Sequence, residues 1–268
     1  RTTSSGDFKQ DDIRTWDARK IVEAVVLHYG KSLENPDYSK KVAVDIFDEI
    51  LQKGVNTRQF RPTLYDFLAH RAVDFYMDAE AGLTQPKYQF TLNQADYFSE
   101  AETFAKLELT TKDELSFDFF ALKYLQDLIE FHLEDKNPDA LVDVDLKRLG
   151  YVYQKAVISN KDIIYEKILR QMLDKYGKIP AAADIYYELA VLYDRLGDQY
   201  KPEISDDYKW HKKKAHDLCT DAIKKYPGSL GAINCQYLVT QLESRFLQLT
   251  LEKVTARDIP SRALLSYR

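Results

Sequence analysis

The sequence predicts an all-α protein, a tetratricopeptide-like helical-hairpin superhelix with a short β tail at its C-terminus. Three observations carry that expectation. Apolar residues recur at helical spacing over most of the chain. Gly and Pro number only 9 and 8 against 19 Tyr and 13 Phe, a balance that suits long packed helices over a turn-rich β-protein. Only the last stretch, FLQLTLEKVTARDIPSRALLSYR (246–268), changes period: Leu247, Leu249 and Leu251 alternate with polar residues, as in a half-buried strand.

The elements follow in order. Ile21, Ala24, Val25, His28 and Tyr29 line one face of a first helix. In SKKVAVDIFDEILQKG (39–54) the pairs Val42/Ala43, Ile46/Phe47 and Ile50/Leu51 predict a second helix, closed by Gly54. RPTLYDFLAHRAVDFY (61–76) turns Leu64, Phe67, Leu68, Ala72 and Phe75 inward behind Thr63 as N-cap. Residues 77–115 lose the period. They read as an irregular connection crossing the surface, with one short helix over 93–104. Phe117, Phe120, Ala121, Tyr124, Leu125, Leu128, Ile129 and His132 restore an unbroken stripe. Asn137 then caps a helix with Pro138 in its first turn, and Leu146, Leu149, Val152, Tyr153 and Ala156 carry its face. Asn160 caps the next, with Tyr165, Ile168, Leu169, Met172 and Tyr176 inward and Gly177 at its end. Such short connections make these helices antiparallel neighbours.

One stretch matches the tetratricopeptide pattern. Tyr186, Leu189, Ala190 and Tyr193 supply the first helix, which Gly197 ends. Ala215, Cys219, Ala222 and Pro227 supply the second, with Cys in the aromatic slot. Small residues stand where two helices approach closely. Gly197 to Ala215 spans 18 positions where the pattern has about five. Residues 200–213 are therefore an insertion that lengthens the second helix or the turn before it.

Chemistry-bearing patterns are sparse. The histidines His28, His70, His132, His211 and His216 show no metal-ligand spacing, so surface or core-edge positions are expected. Asp66 and His70 stand four apart and could pair on a helix surface. Asp143/Asp145 and Asp206/Asp207 read as solvated faces, because residues one or two apart on a helix diverge. No Gly-rich phosphate loop and no GxSxG occur. No catalytic, cofactor-binding or metal-binding residue is expected, and no cofactor. Cys219 and Cys235 lie eight residues either side of Pro227 on apolar stripes. Two buried thiols are the favoured reading, a disulfide the alternative. The tyrosines are read as filling gaps between helices rather than lining an exposed aromatic groove.

The net charge of −5, from 38 basic and 43 acidic residues, gives no reason to expect nucleic acid. The densest basic run, Trp210 to Lys214, reads as a solvated helix face. No apolar run approaches the ~20 residues of a membrane span. The N-terminus lacks an initiating Met and an apolar signal core, and reads as a cut inside a longer chain.

Three stretches, residues 61–76, LVDVDLKRLGYVYQKA (141–156) and 246–268, resemble the N-terminal part of large bacterial alpha-2-macroglobulin-like proteins. The resemblance implies a helical, tetratricopeptide-like domain over 1–245 and the start of a macroglobulin-type β-sandwich domain over 246–268. It matches Leu247–Leu251 and Ala263–Tyr267 to the first two sandwich strands, so the tail would pair as a hairpin around Asp258–Pro260, lie on the helices, or pair with a second molecule. It further implies a non-catalytic scaffold or protein-docking module of an envelope protease inhibitor, in the cell envelope or periplasm. The partner would be another protein or the neighbouring macroglobulin domains of the same chain. The alternatives are a stand-alone envelope adaptor or glycan-binding lipoprotein, favoured by an exposed Trp210, and a helical hydrolase, favoured by a cleft holding two carboxylates.

Overall fold

The structure, a computed structural model, describes residues 12–54, 56–78, 88–244, 247–251 and 263–267. The described residues are mostly α-helical, with one two-stranded sheet near the C-terminus. They divide into two compact units, Arg1–Ala181 and Ala182–Arg268.

In the first unit the main helices are α1 (Ala18–Ser32), α4 (Leu64–Met77), α6 (Phe117–His132), α7 (Asp139–Lys155) and α8 (Lys161–Tyr176). The single turns α2 (Pro36–Ser39), α3 (Thr57–Phe60) and α5 (Ala101–Phe104) lie between them. Helix α4 starts at a capping box: Thr63 Oγ1 accepts from Asp66 N, and the Asp66 carboxylate accepts from Thr63 N. Helices α4 and α6, α6 and α7, and α7 and α8 pack in turn around Val73, Leu122, Leu125, Ile129, Val144 and Leu149, all fully buried. Asn137 does not cap α7 itself. Pro138 takes the N-cap position, and Asn137 accepts from Asp139 N one residue further in.

The helix expected over 39–54 does not form. Val44 N donates to Pro62 O at 2.9 Å and Leu64 N to Val42 O at 2.8 Å, so the chain is extended at Ala43 and bridged there to Thr63 at the entry of α4. Its β-branched Val42 and Val44 suit that conformation. Only a 3₁₀ turn, Val44–Phe47, follows, and Ile46 and Ile50 are left 67% and 79% exposed. The stripe on α1 also departs from expectation, since among its residues only Val22 is buried. Tyr29 meets Phe75 and Tyr76 at ring-centroid distances of 5.2 and 5.8 Å, but the rest of the α1 stripe faces an open groove.

The irregular connection is not a surface crossing where it is described. A 3₁₀ turn (Ala95–Phe98) and α5 replace the single short helix, and Phe90, Leu92, Tyr97, Phe98 and Phe104 are buried. Two side chains tie this segment to the helices. Gln126 Nε2 donates to the carbonyls of Phe104 and Leu107 at 2.9 and 2.7 Å. Arg148 Nη1 and Nη2 donate to the carbonyls of Tyr97 and Ser99 at 2.6 and 2.8 Å. Backbone groups without a regular ladder are thereby satisfied inside the core.

The second unit comprises α9 (Ala182–Gly197), α10 (His211–Lys225), α11 (Leu230–Glu243), β1 (Leu247–Leu251) and β2 (Ala263–Tyr267). Each of the three helices packs on the other two. Strands β1 and β2 pair antiparallel, with Leu249 opposite Leu265 and Leu251 opposite Ala263. The expected turn at Asp258–Pro260 lies outside the described residues.

Candidate functional site

Every residue of the repeat signature lies in the second unit. Tyr186, Leu189, Ala190, Tyr193 and Gly197 fall on α9, and Ala215, Cys219 and Ala222 on α10. Pro227 follows α10 directly, and Gly228 turns the chain at φ +81° into α11, whose first turn Ser229 caps. Leu189, Ala190, Ala215, Cys219 and Ala222 are fully buried, as a close helix pair requires. Tyr186 is half-buried: its hydroxyl accepts from Lys225 Nζ at 2.8 Å, and its ring lies 6.0 Å from that of Tyr226.

Two glycines fix how closely these helices approach, and only one belonged to the signature. A Cβ on Gly197 would stand 2.6 Å from Lys212 Cγ, and one on Gly231 would stand 2.3 Å from the carbonyl carbon of Ala183. Gly231 therefore lets α11 cross the start of α9 in backbone contact. A single glycine at the start of a helix gives no pattern by which sequence reasoning could have found it.

Only the last residues of the insertion, 211–213, enter α10, which starts at His211. The rest forms exposed turns over 201–207, and Tyr208 takes φ 61°. The basic run does open a helix, against the sense of the helix dipole. Lys212 is held by Asp194 and Asp198 at 2.7 and 2.6 Å, and Lys213 by Asp217 at 2.6 Å. Cys219 and Cys235 are both buried and free. Cys235 shares a hydrogen bond with Cys219, which together with burial pushes its thiol pKa far up. Cys235 is therefore no reactive thiolate.

Polar chemistry is concentrated in the first unit, where sequence reasoning expected solvated carboxylates. Asp66 does not pair with His70. Its Oδ1 meets His132 Nε2 at 2.8 Å, while Asp135 Oδ2 meets His132 Nδ1 at 2.7 Å. His132 and Asp66 are both buried. Burial alone would lower the His132 pKa, but the Asp66 and Asp135 carboxylates outweigh it and the net shift is upward. Both ring nitrogens face carboxylates, so the imidazolium donates twice. His70 is buried too, and desolvation, with Arg61 and Lys147 nearby, lowers its pKa well below the usual value.

Asp145 is likewise no solvated residue. Arg148, wholly buried, donates to its Oδ1 from Nε at 2.8 Å and Nη2 at 2.5 Å, and lies 4.4 Å from the Phe104 ring centroid. Asp145 and Glu102 line a cavity of about 400 Å³ between the 100–102 turn, α7 and α8. Burial pushes Asp145 upward although Arg148 pulls it down, whereas Lys175 holds Glu102 below the usual carboxylate range. Carboxylates shifted apart are what acid–base chemistry uses. Here each is clamped by its cation, and no Ser, Cys or His lines the cavity. The arrangement binds the irregular segment to α7 and α8. Among the described residues no group of three His, Cys, Asp or Glu could hold a metal ion, and no helix is long and apolar enough to cross a membrane.

No family model, no curated protein and no solved structure matches this chain.

Proposed function

We propose that this chain is a non-catalytic helical scaffold, or protein-docking module, at the N-terminus of an alpha-2-macroglobulin-like protein of the cell envelope. The observation that supports it most is the β1–β2 ribbon. Its register places Leu249, Leu251, Ala263 and Leu265 on one face, and the three leucines are 58%, 60% and 55% exposed. A two-stranded ribbon is marginal in water, and an apolar face on it is suited to cover by further strands. The neighbouring macroglobulin domains of the same chain would supply them. The test is to express this chain together with the residues that follow Arg268 in its reading frame. Amide exchange at Leu249 and Leu265 should slow by at least about tenfold as a sandwich closes over them. A frame that terminates at Arg268, or unchanged exchange, would defeat the proposal.

A second reading, glycan binding, draws on Trp210, which is 62% exposed beside Lys209, whose Nζ lies 5.7 Å from its ring. An exposed indole face stacks on sugar rings. A chitooligosaccharide should then quench tryptophan fluorescence in the wild type and not in Trp210→Ala. Equal responses would remove this reading.

A further inference from the structure

Helix α1 meets α4 through Tyr29, and the space before that meeting is a groove of about 580 Å³. Ile21, Ala24 and Val25 form one wall, Leu68 and Phe75 the other, and Trp16 lies at one side. The volume and apolar lining fall in the ~300–1,000 Å³ range of small-molecule sites. Both long walls are helices whose backbone groups bond internally, so the groove offers apolar surface and no main-chain ladder for a peptide strand.

One end of the groove is cationic. Arg71 lines the groove and also a second pocket of about 170 Å³, whose walls include Arg58, Arg61, His70 and one carboxylate, Asp74, which Lys147 holds. Arg58 is matched by Asp45 and Asp48, and Arg61 meets Asp143 only loosely, at 3.5 Å. Arg71 has no carboxylate partner among the described residues; its guanidinium lies 5.6 Å from the Phe67 ring centroid. Lys147 Nζ approaches His70 Nδ1 at 3.5 Å, which makes Nδ1 the acceptor and leaves the ring proton on Nε2. Among the described residues, the apolar channel thus ends at a guanidinium without a carboxylate partner.

We propose that the α1/α4 groove binds a long-chain carboxylate, its chain along Ile21, Val25 and Phe75 and its head group on Arg71 at the mouth of the basic pocket. Charge complementarity selects the head group, and the apolar walls select the chain. This site is independent of the scaffold reading above.

The chain has only two tryptophans, so Trp210→Phe leaves Trp16 as the reporter inside the groove. In that background, dodecanoate below its micelle concentration should shift Trp16 emission to the blue and saturate. It should bind at least about tenfold more tightly than dodecyltrimethylammonium, which has the same chain and the opposite charge. Arg71→Gln, at an exposed position, should weaken dodecanoate about tenfold, as loss of a charge-assisted bond does. Ala24→Phe should block both amphiphiles by filling the groove while leaving Trp16 as the reporter. Equal affinity for the two head groups, full dodecanoate affinity in Arg71→Gln, or no Trp16 response would overturn the proposal. So would tighter binding of a neutral apolar peptide, or a concentration-dependent dimer that buries Trp16.

Discussion

The buried ion pairs make single residues decisive. His132 is an imidazolium between Asp66 and Asp135 with its folded pKa raised. A raised histidine contributes full stability below its unfolded pKa of about 6.5, and loses it as pH climbs through the folded value. Urea unfolding of the wild type should therefore show stability falling above about pH 6.5. His132→Gln should lack that component of the slope and be less stable by about 3 kcal/mol at pH 6, since it leaves Asp66 buried without its cation. Identical pH slopes in both proteins would contradict the assignment. Glycines give a second contrast. Gly231→Ala sets a Cβ 2.3 Å from Ala183 backbone and should cost about 2 kcal/mol by forcing α11 off α9. Gly150→Ala, inside α7 with nothing within 4 Å, should add about 0.5–1 kcal/mol. Thermal melts of the two variants should move in opposite directions. Asp135 is a local partner, three positions from His132, but the pairing that matters most was not legible from local sequence. Asp66 and His132 are 66 positions apart, and the local pattern offered His70 instead.

Elements were legible where one period persisted. The stripes over 117–132, 141–156, 161–176 and 186–193 each became a helix with most of those residues buried and Phe117, Phe120, Tyr124, Tyr176 and Tyr186 half-buried, because a helix that packs on both neighbours imposes its spacing on the sequence. Residues 39–54 carried the same spacing and did not, since hydrogen bonds of Val44 and Val42 to Pro62 and Leu64 hold the chain extended at Ala43. Periodicity reports which residues would share a face and is blind to a competing backbone partner. The 88–107 segment failed in the reverse direction: it has no period, yet Arg148 and Gln126 hold it in the core through its carbonyls. The first part of the insertion illustrates a segment outside the core. Lys201 to Asp207 are all exposed, so deleting them should lower the melting temperature by only a few degrees, because loop length costs little entropy. A fall above ~10 °C would mean that these turns brace α9 and α10.

At the scale of the molecule, the division after Ala181 separates an aromatic-rich unit with buried ion pairs from a three-helix unit joined by small residues. The sequence drew its boundary at 245/246, where the period changes from helical to alternating. If strands β1 and β2 belong to a following domain, truncation after Ser244 should keep the helical circular dichroism and the melting temperature. Loss of either would make the ribbon part of the helical fold and remove the main support for the scaffold reading. The overall all-α class was readable because most of the chain carries one period; the division inside it was not, because residues 177–181 read as one more short connection between helices.

Cys219 and Cys235 are the only cysteines in the chain, both fully buried, and both in the second unit. A thiol reagent can reach them only while that unit is open. The alkylation rate, divided by that of an unstructured cysteine peptide, is therefore a clock for the opening of α9–α11.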